Sequence, residues 1–200
     1  MRWNYLISVL LIFVIFYFSA SFFGFQRAVF LEPSEVDRAI PFLAWTVWIY
    51  SLTYVMLPLT FLLLRSQNHL RNFTYAVATS IILSSAVFFW YPTLITRSHM
   101  NGHGVSKGVL KFLHWVDLPT NCFPSLHVAI MILIAFYLHK ESKAWGWFTW
   151  ILTLLVSIST MTTKQHYFVD VLGGAAVAAL SIVIVAKLTK RFSREADAVS

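Results

Sequence analysis

A series of long apolar runs constrains this chain more than any other feature of its sequence. The first run, at 5–23, is long enough to cross a hydrocarbon core of roughly 30 Å as a helix that rises about 1.5 Å per residue. Further runs lie at 40–64, 73–95, 124–138, 145–163 and 168–186. With 58% hydrophobic and 12% charged residues, the chain has more apolar surface than a soluble domain of 200 residues can bury. We therefore predict an all-α integral membrane protein, with a single membrane domain over residues 1–200 built as a bundle of about six transmembrane helices.

The run at 5–23 has one alternative interpretation, a cleaved signal peptide, because Arg2 precedes it and small residues lie at 19–21. The apolar run continues through residues 22 and 23, beyond a plausible cleavage site. We therefore expect a permanent span.

Three later runs have distinctive features. Pro41 is suited to the first helical turn of the second run, where its missing N–H matters least. The run at 124–138 is the shortest, and its length favours a helix buried among its neighbours. Gly173 and Gly174, with nearby alanines, predict close helix contact for the run at 168–186, which we expect to pack centrally.

Polar segments separate these runs. The charged segment at 24–38 is predicted to lie at an interface or in a loop. The segment at 96–123 combines glycines, a proline, histidines and basic residues, so we expect it to avoid lipid and to form the main functional loop. Residues 188–200 are predicted to be a polar cytoplasmic tail.

The distribution of basic residues indicates an orientation. If the N-terminus is cytoplasmic, the cytoplasmic basic residues are Arg2, Arg65, Arg71, Lys140, Lys143, Lys187, Lys190, Arg191 and Arg194. The opposite side then holds only Arg27, Arg38, Arg97, Lys107, Lys111 and Lys164. The positive-inside rule therefore predicts a multi-pass protein of a plasma or inner membrane with both termini cytoplasmic. The loop at 96–123 and the turn near His166 would share the non-cytoplasmic face.

The net charge of +7 does not predict a nucleic-acid partner, because the basic residues lie in short loops between apolar runs. The single cysteine, Cys122, excludes an intrachain disulfide and an all-cysteine metal site. The bilayer is the partner that the composition predicts.

Two short polar sequences carry the candidate chemistry. P-S-L-H at 124–127 opens one apolar run, and K-Q-H-Y-F-V-D at 164–170 opens another. The N-terminus of a helix offers unpaired N–H groups and a partial positive charge, both of which suit a phosphate. Ser125 can add a hydroxyl donor there.

Two histidines and an intramembrane carboxylate are the candidate catalytic residues. His166 and Asp170 are four residues apart, so on a helix the carboxylate can accept the proton of one imidazole nitrogen while the other is free to attack. The alternative is a hydrogen bond that only packs the helix. His127 is suited to protonate a leaving alkoxide, or else makes a local hydrogen bond. Arg97 is a candidate phosphate ligand, or else an interfacial arginine that reaches toward water.

P-S-L-H at 124–127 followed by H-Y-F-V-D at 166–170 resembles motifs two and three of the type 2 phosphatidic acid phosphatase superfamily, the lipid phosphate phosphatases. The likeness is to the branch that contains inositol phosphorylceramide synthases, and the motif-bearing part spans 90–175. The resemblance implies six membrane helices, a lipid phosphate substrate and a reaction without metal or other cofactor. It also implies that His166 forms a phosphohistidine, that Asp170 orients it, that His127 is the general acid and that Ser125 binds phosphate.

The chain departs from the family pattern at expected cations. Arg97 matches the arginine of the first motif, but Trp90 occupies its lysine position and Ser98 its proline position. In the third motif Ser159 is followed by Thr160 instead of arginine. Phosphoryl transfer needs positive charge around the equatorial oxygens, so we predict that Lys164 replaces the missing cations. The weaker candidates are the loop lysines Lys107 and Lys111, which also suit lipid headgroups.

Three alternatives to a metal-independent lipid phosphatase stay open. A transferase would pass the phosphoryl headgroup from His166 to a second alcohol instead of water, and we favour hydrolysis because it needs no second substrate site. A zinc site would use His99, His103, His114 and Asp117, although Gly102 and Gly104 argue against the helix it requires. A non-catalytic lipid-handling protein would use the histidines and Asp170 as a packing network or proton relay.

Overall fold

The computed structural model of the chain describes residues 2–97, 104–116 and 120–197, with side chains described as far as residue 191. Within these residues the chain is almost entirely helical. The helices are α1 (Arg2–Gly24), α2 (Glu35–Ala39), α3 (Val47–Tyr50), α4 (Leu52–Leu63), α5 (Gln67–Trp90), α6 (Val105–Val116), α7 (Leu126–Glu141), α8 (Lys143–Thr162) and α9 (Phe168–Asp197). Short 3-10 turns lie at Phe25–Arg27 and Ala44–Thr46.

The described part of the chain contains five helical segments that are long and apolar enough to cross a membrane. They are Arg2–Arg27, Ala44–Leu63, Gln67–Trp90, Lys143–Thr162 and Phe168–Arg191. The predicted all-α membrane fold is therefore confirmed. The predicted number of about six spans is not confirmed, because α7 has only 16 residues.

The second predicted run begins differently from the expectation. Pro41 does not lie in a first helical turn, because the first helical residues of this run are the 3-10 turn at Ala44–Thr46. The preceding residue, Ile40, has an extended backbone with φ −71° and ψ 122°. A proline disfavours the helical conformation at the residue before it, so the chain stays extended here.

Helix α7 occupies the centre of the bundle. It packs against α4, α5, α8 and α9, and its side chains at Ala129, Met131, Leu133 and Ile134 are fully buried. This confirms the expectation that the shortest apolar run forms a buried helix. Lipid is as apolar as these side chains, so close packing against the neighbouring helices, and not the removal of surface from water, stabilises them in the bundle.

Helix α9 crosses α7 at close range. A Cβ at Gly174 would overlap the backbone oxygen of Ser125, and a Cβ at Gly173 would overlap the ring of Phe123. The prediction of close contact by small residues is therefore confirmed. Helix α9 continues to Asp197, so part of the segment expected as a polar tail at 188–200 is helical, and its cytoplasmic location stays a prediction. Lysine, arginine, glutamate and alanine are good helix formers, and they extend the helix beyond its apolar part.

One end of the bundle brings the segments between helices together. Strand β1 (Val29–Phe30) pairs in parallel with β2 (Thr93–Leu94), and Thr93 also forms a bridge with Asn121. The loop expected at 96–123 contains a helix, α6, which packs on α3 and on the preceding 3-10 turn. Leu110 of α6 is fully buried, so a local apolar face stabilises this helix.

Candidate active site

A tight turn between α8 and α9 presents His166. The backbone oxygen of Thr160 accepts hydrogen bonds from the N–H groups of Gln165 (3.0 Å) and His166 (3.1 Å). Lys164 has a φ of 56°, the left-handed conformation that this reversal requires. His166 therefore lies just before α9 with 6% of its surface exposed.

His166 faces the carboxylate of Asp170. Its Nδ1 lies 3.4 Å from Oδ2 of Asp170, which is itself fully buried. The same Oδ2 accepts a hydrogen bond of 2.8 Å from the N–H of Tyr167, and this bond fixes the carboxylate at the start of α9. The predicted pairing across four residues is present as a close contact that directs Nδ1 toward the acid. Nε2 of His166 is the ring nitrogen that does not face this carboxylate.

His127 lies in the first turn of α7, next to His166. The centroids of the two imidazole rings are 5.9 Å apart. The N–H of Ser125 donates to the backbone oxygen of Asp170 at 2.9 Å, which joins the starts of α7 and α9. The structure thus brings together the four candidates that the two sequence motifs supply.

Two tyrosines that the sequence reasoning missed hold the ring of His127. The hydroxyl of Tyr54 lies 3.1 Å from Nε2 of His127, and that of Tyr50 lies 3.4 Å from Nδ1. The Tyr50 ring also packs on the imidazole with centroids 4.4 Å apart. Their spacing of four residues places them on one face of the second span. That signal is weak in a chain rich in aromatic residues.

Ser125 is the N-cap of α7. Its side-chain oxygen accepts a hydrogen bond from the N–H of Val128 at 3.5 Å, and the residue is fully buried. The local sequence explains this role, because serine is among the favoured N-cap residues. Its predicted role in phosphate binding stays a prediction.

Arg97 lies at the edge of the site, against α6. Its Nη1 donates to the backbone oxygen of His114 at 3.1 Å, and its buried Nε has no hydrogen-bond partner among the described residues. Nε2 of His114 lies 2.5 Å from the side-chain nitrogen of Gln165, the residue before His166. Burial, with a smaller contribution from the Arg97 guanidinium, lowers the pKa of His114 to about 4, so this imidazole is neutral at neutral pH.

Lys164 makes contacts that the sequence did not indicate. Its Nζ donates to the backbone oxygens of Asp37 (2.7 Å) and Ile40 (2.6 Å), in the segment just before the second span. Two of its three N–H donors are therefore used. Burial lowers the pKa of the Lys164 ammonium, although the nearby Asp37 carboxylate opposes this. Its predicted role as a replacement cation stays a prediction.

Asp37 is a further residue that sequence reasoning missed. Its Oδ1 accepts a hydrogen bond of 2.7 Å from the N–H of Phe168 at the start of α9, and its Oδ2 accepts one of 2.6 Å from the hydroxyl of Ser34. Burial alone raises the pKa of the Asp37 carboxyl, but these hydrogen bonds and the Lys164 charge outweigh it and leave the pKa lowered. Asp37 thus ties α2 to the turn that carries His166.

The positions where the chain departs from the family pattern carry no positive charge. Trp90 is 79% exposed at the end of α5, and the buried Thr160 hydroxyl donates to the backbone oxygen of Ser157 at 2.7 Å. Ser98 lies outside the described residues. Lys107 and Lys111 both lie on α6, where Lys111 is exposed.

The alternative zinc set is only partly visible. His99, His103 and Asp117 lie outside the described residues, whereas His114 contacts Gln165 as above. Within residues 2–97, 104–116 and 120–197, no group of three or more histidine, cysteine, aspartate or glutamate side chains is arranged to hold a metal ion.

A known protein family matches most of the chain. The family model described as the PAP2 superfamily matches residues 21–184, which include His127, His166 and Asp170. The search of curated proteins gives no match. The branch that contains inositol phosphorylceramide synthases is therefore not confirmed. Membership supports a phosphatase-like enzyme, in agreement with the paired histidines at the end of a membrane bundle, and the chain belongs to the PAP2 superfamily.

Proposed function

We propose that this protein is a membrane phosphatase that hydrolyses a phosphate ester or diphosphate of a lipid through a phosphohistidine on His166, without a metal ion. The observation that carries the proposal is the arrangement of three residues. Nδ1 of His166 faces Asp170 at 3.4 Å, and the ring of His127 lies 5.9 Å from that of His166. A phosphorus atom between two such rings has a nucleophile on one side and a proton donor on the other.

In the first half-reaction, Nε2 of His166 attacks the phosphorus atom. The bond from phosphorus to the lipid oxygen breaks, and protonated His127 gives its proton to the leaving alkoxide. The attacking imidazole becomes positively charged, and the buried Asp170 carboxylate stabilises this charge through Nδ1–H. The products are a phosphohistidine and a lipid alcohol, or a lipid monophosphate when the substrate is a diphosphate and the bridging oxygen leaves.

In the second half-reaction, water attacks the phosphohistidine. His127, now neutral, accepts a proton from this water, and the bond between phosphorus and Nε2 of His166 breaks. Inorganic phosphate leaves, and both histidines return to their starting protonation states. The cycle balances without an oxidant, a metal or a second substrate.

The tyrosine contacts place one condition on this cycle. Both ring nitrogens of His127 have a tyrosine hydroxyl within 3.4 Å, so the leaving oxygen has to replace one of them. We propose that it replaces Tyr50, whose contact is the longer, while Tyr54 keeps the ring in place. A proton donor must lie within hydrogen-bond reach of the group that it protonates.

Positive charge for the transferring phosphoryl group has two sources in this proposal. Arg97 supplies the first, because its buried Nε has no partner among the described residues and its guanidinium suits phosphate oxygens. The N-termini of α7 and α9, which the hydrogen bond from Ser125 to Asp170 holds together, supply the second. Lys164 has one remaining N–H donor, and full turnover by a Lys164→Ala variant would remove it from this role.

The position of the candidate site supports a lipid substrate. His166 lies between α8 and α9, which are both long and apolar enough to cross a membrane, and His127 lies beside it at the start of the buried α7. An end of such a bundle is where the phosphate of a lipid meets water. The bias of basic residues supports a non-cytoplasmic site with both termini in the cytoplasm.

Phosphate release from a panel of lipid phosphates, in excess chelator, tests the proposal. The purified protein is compared with His166→Ala and with His69→Gln, which alters a second histidine–carboxylate pair, His69 with Glu141 at 2.8 Å. We expect release by the wild type and the His69 variant and none by the His166 variant. A folded protein that releases no phosphate from any lipid contradicts the proposal.

A second alcohol in the same assay distinguishes hydrolysis from transfer. Hydrolysis gives inorganic phosphate at a rate that the added alcohol leaves unchanged. A new phosphodiester or phosphorylated alcohol, formed at the expense of phosphate, would show that water is not the natural acceptor.

A further inference from the structure

Helix α6 has an exposed face that is almost wholly apolar. Four of its exposed residues are Val105 (76% exposed), Phe112 (59%), Trp115 (79%) and Val116 (45%). At 100° per residue these side chains fall on one arc of the helix. Lys111 is exposed at one edge of this arc. Exposure of such an apolar surface to water is unfavourable. With only 12 residues, α6 is also too short to cross a membrane.

The opposite face of α6 is attached to the bundle. Leu110 is fully buried, and the hydroxyl of Ser106 accepts a hydrogen bond of 3.1 Å from the indole of Trp48 on α3. His114 contacts Gln165 at 2.5 Å, and its backbone oxygen accepts from Arg97. The orientation of the exposed arc relative to the bundle is therefore fixed.

Helix α6 packs beside two exposed tryptophans of the bundle. Trp45 and Trp48, at the start of the second span, are 58% and 51% exposed, and α6 packs directly on this segment. Tryptophan at the end of a membrane span is typical of the headgroup level, where its apolar ring and polar N–H both find partners. Because α6 packs on the start of a candidate membrane span that carries exposed tryptophans, its exposed apolar arc is expected near the same headgroup level.

We propose that α6 is an interfacial helix whose exposed arc of Val105, Phe112, Trp115 and Val116 contacts the lipid of the adjacent leaflet at the boundary between headgroups and acyl chains. Lys111 then lies at headgroup height, where an ammonium meets lipid phosphates. The partner is the lipid surface itself, and the inference does not rest on the proposed catalytic activity. Through His114, the same helix holds Arg97 and Gln165 at a fixed height relative to the membrane.

Spin labels test the location of α6 in the full-length protein. Single cysteines replace Phe112, Trp115 or Lys111 in a Cys122→Ser background, and the protein is reconstituted in vesicles of phosphatidylcholine and phosphatidylglycerol. Leu154→Cys, on the exposed face of α8, supplies the hydrocarbon reference. Lys143→Cys, at the charged start of α8, supplies the aqueous reference. The measurement is relaxation of the label by oxygen, which partitions into lipid, and by a nickel chelate, which stays in water.

We expect labels at Phe112 and Trp115 to be more accessible to oxygen and less accessible to nickel than the label at Lys143. The label at Lys111 should lie closer to water than the labels at Phe112 and Trp115, and should therefore be more accessible to nickel than they are. Nickel accessibility at Phe112 and Trp115 equal to that at Lys143 would place α6 in water and overturn the proposal. Low accessibility to both reagents would also overturn it, because a second protein surface, such as another copy of the chain, would then cover the arc. If Cys122→Ser misfolds, the single cysteines are introduced into the wild-type chain instead. Cys122 is only 4% exposed, so it should label little, and the signal of the labelled wild type is subtracted.

Discussion

The hydroxyl of Tyr54 lies 3.1 Å from Nε2 of His127, so a side chain of the second span holds the proposed general acid on α7. The removal of one such hydrogen bond costs about 0.5–1.5 kcal/mol, which corresponds to a roughly two- to tenfold change in rate. We expect Tyr54→Phe to lower kcat by about this factor and to leave KM nearly unchanged, since the hydroxyl positions the acid and does not bind the lipid.

Tyr50→Phe supplies a direct contrast. The proposed exchange of the Tyr50 hydroxyl with the leaving oxygen predicts a smaller loss of kcat than for Tyr54→Phe. Steady-state phosphate release measures both variants. Tyr75→Phe, which alters a tyrosine that is 52% exposed on α5, is the control for general effects of the lost hydroxyl. A larger defect in Tyr50→Phe would show that Tyr50 is the residue that positions His127.

Gly174 controls the distance between the two halves of the site. A Cβ there would overlap the backbone oxygen of Ser125, and backbone atoms cannot move aside without separating α7 from α9. We expect Gly174→Ala to destabilise the protein by about 1–3 kcal/mol and to reduce activity strongly. Thermal unfolding in detergent and phosphate release measure these effects.

Gly108→Ala is the matched control for Gly174→Ala. A Cβ at Gly108 of α6 meets no atom within 4 Å, and alanine favours a helix over glycine by roughly 1 kcal/mol. The midpoint of unfolding should therefore stay the same or rise. Equal destabilisation by both substitutions would contradict the close approach of α7 and α9.

Asp37 stabilises the start of α9 from a distant part of the chain. Asp37→Ala removes the acceptor of the Phe168 N–H, and the loss of such a cap costs about 0.5–2 kcal/mol. We expect a lower unfolding midpoint and lower kcat, because the turn that carries His166 is released. Asp37→Asn keeps an acceptor oxygen and should retain more of both.

Glu35→Gln is the control for these Asp37 variants, because Glu35 is exposed on the same short helix. Thermal unfolding and phosphate release are measured together. If Asp37→Ala behaves as Glu35→Gln does, the contact between α2 and α9 does not position the turn.

Acid should loosen α6. His114 has a pKa of about 4 in the folded protein against an ordinary value of 6.5, so the folded state binds fewer protons than the unfolded state between these values. The contribution of His114 to stability is therefore complete above about pH 6.5 and falls as the pH decreases toward about 4. Arg97, beside the imidazole, adds to the cost of a second positive charge.

The mobility of a spin label on α6 measures this effect. We expect mobility to increase as the pH falls through this range, and His114→Gln, which cannot be protonated, to remove the increase. A pH response that survives in His114→Gln would assign it to another group.

The sequence predicted the parts of the fold that depend on hydropathy and local spacing. Apolar runs located the long helices, and the pair of glycines at 173 and 174 predicted the close crossing of α9 and α7. The spacing of four residues placed His166 against Asp170. Ends of helices were less predictable. Helix α9 continues to Asp197 because helix formers follow its apolar part, and the helical part of the second run begins only at Ala44, after Pro41.

The missed residues all act across long separations in the chain. Asp37 meets Phe168 only after the membrane helices assemble, and Tyr50 and Tyr54 meet His127 through the packing of α3 and α4 on the bundle. A carboxylate in a charged loop and two tyrosines in an aromatic-rich span carry no periodic signal. The helix α6 was missed because a nearby glycine and a mixed composition favoured a loop.

The contact between Asp37 and Phe168 also determines the order in which the protein can be completed during synthesis. Asp37 leaves the ribosome well before Phe168 and Lys164, so it lacks both of these partners until the last helix is made. The segment before the second span has earlier contacts, between Asp37 and Ser34 and between β1 and β2. The turn that carries His166 is itself part of this late-made region. The proposed site is therefore complete only after α9 is made, because His166 lacks its contact with Asp170 and its turn lacks the contact with Asp37 until then.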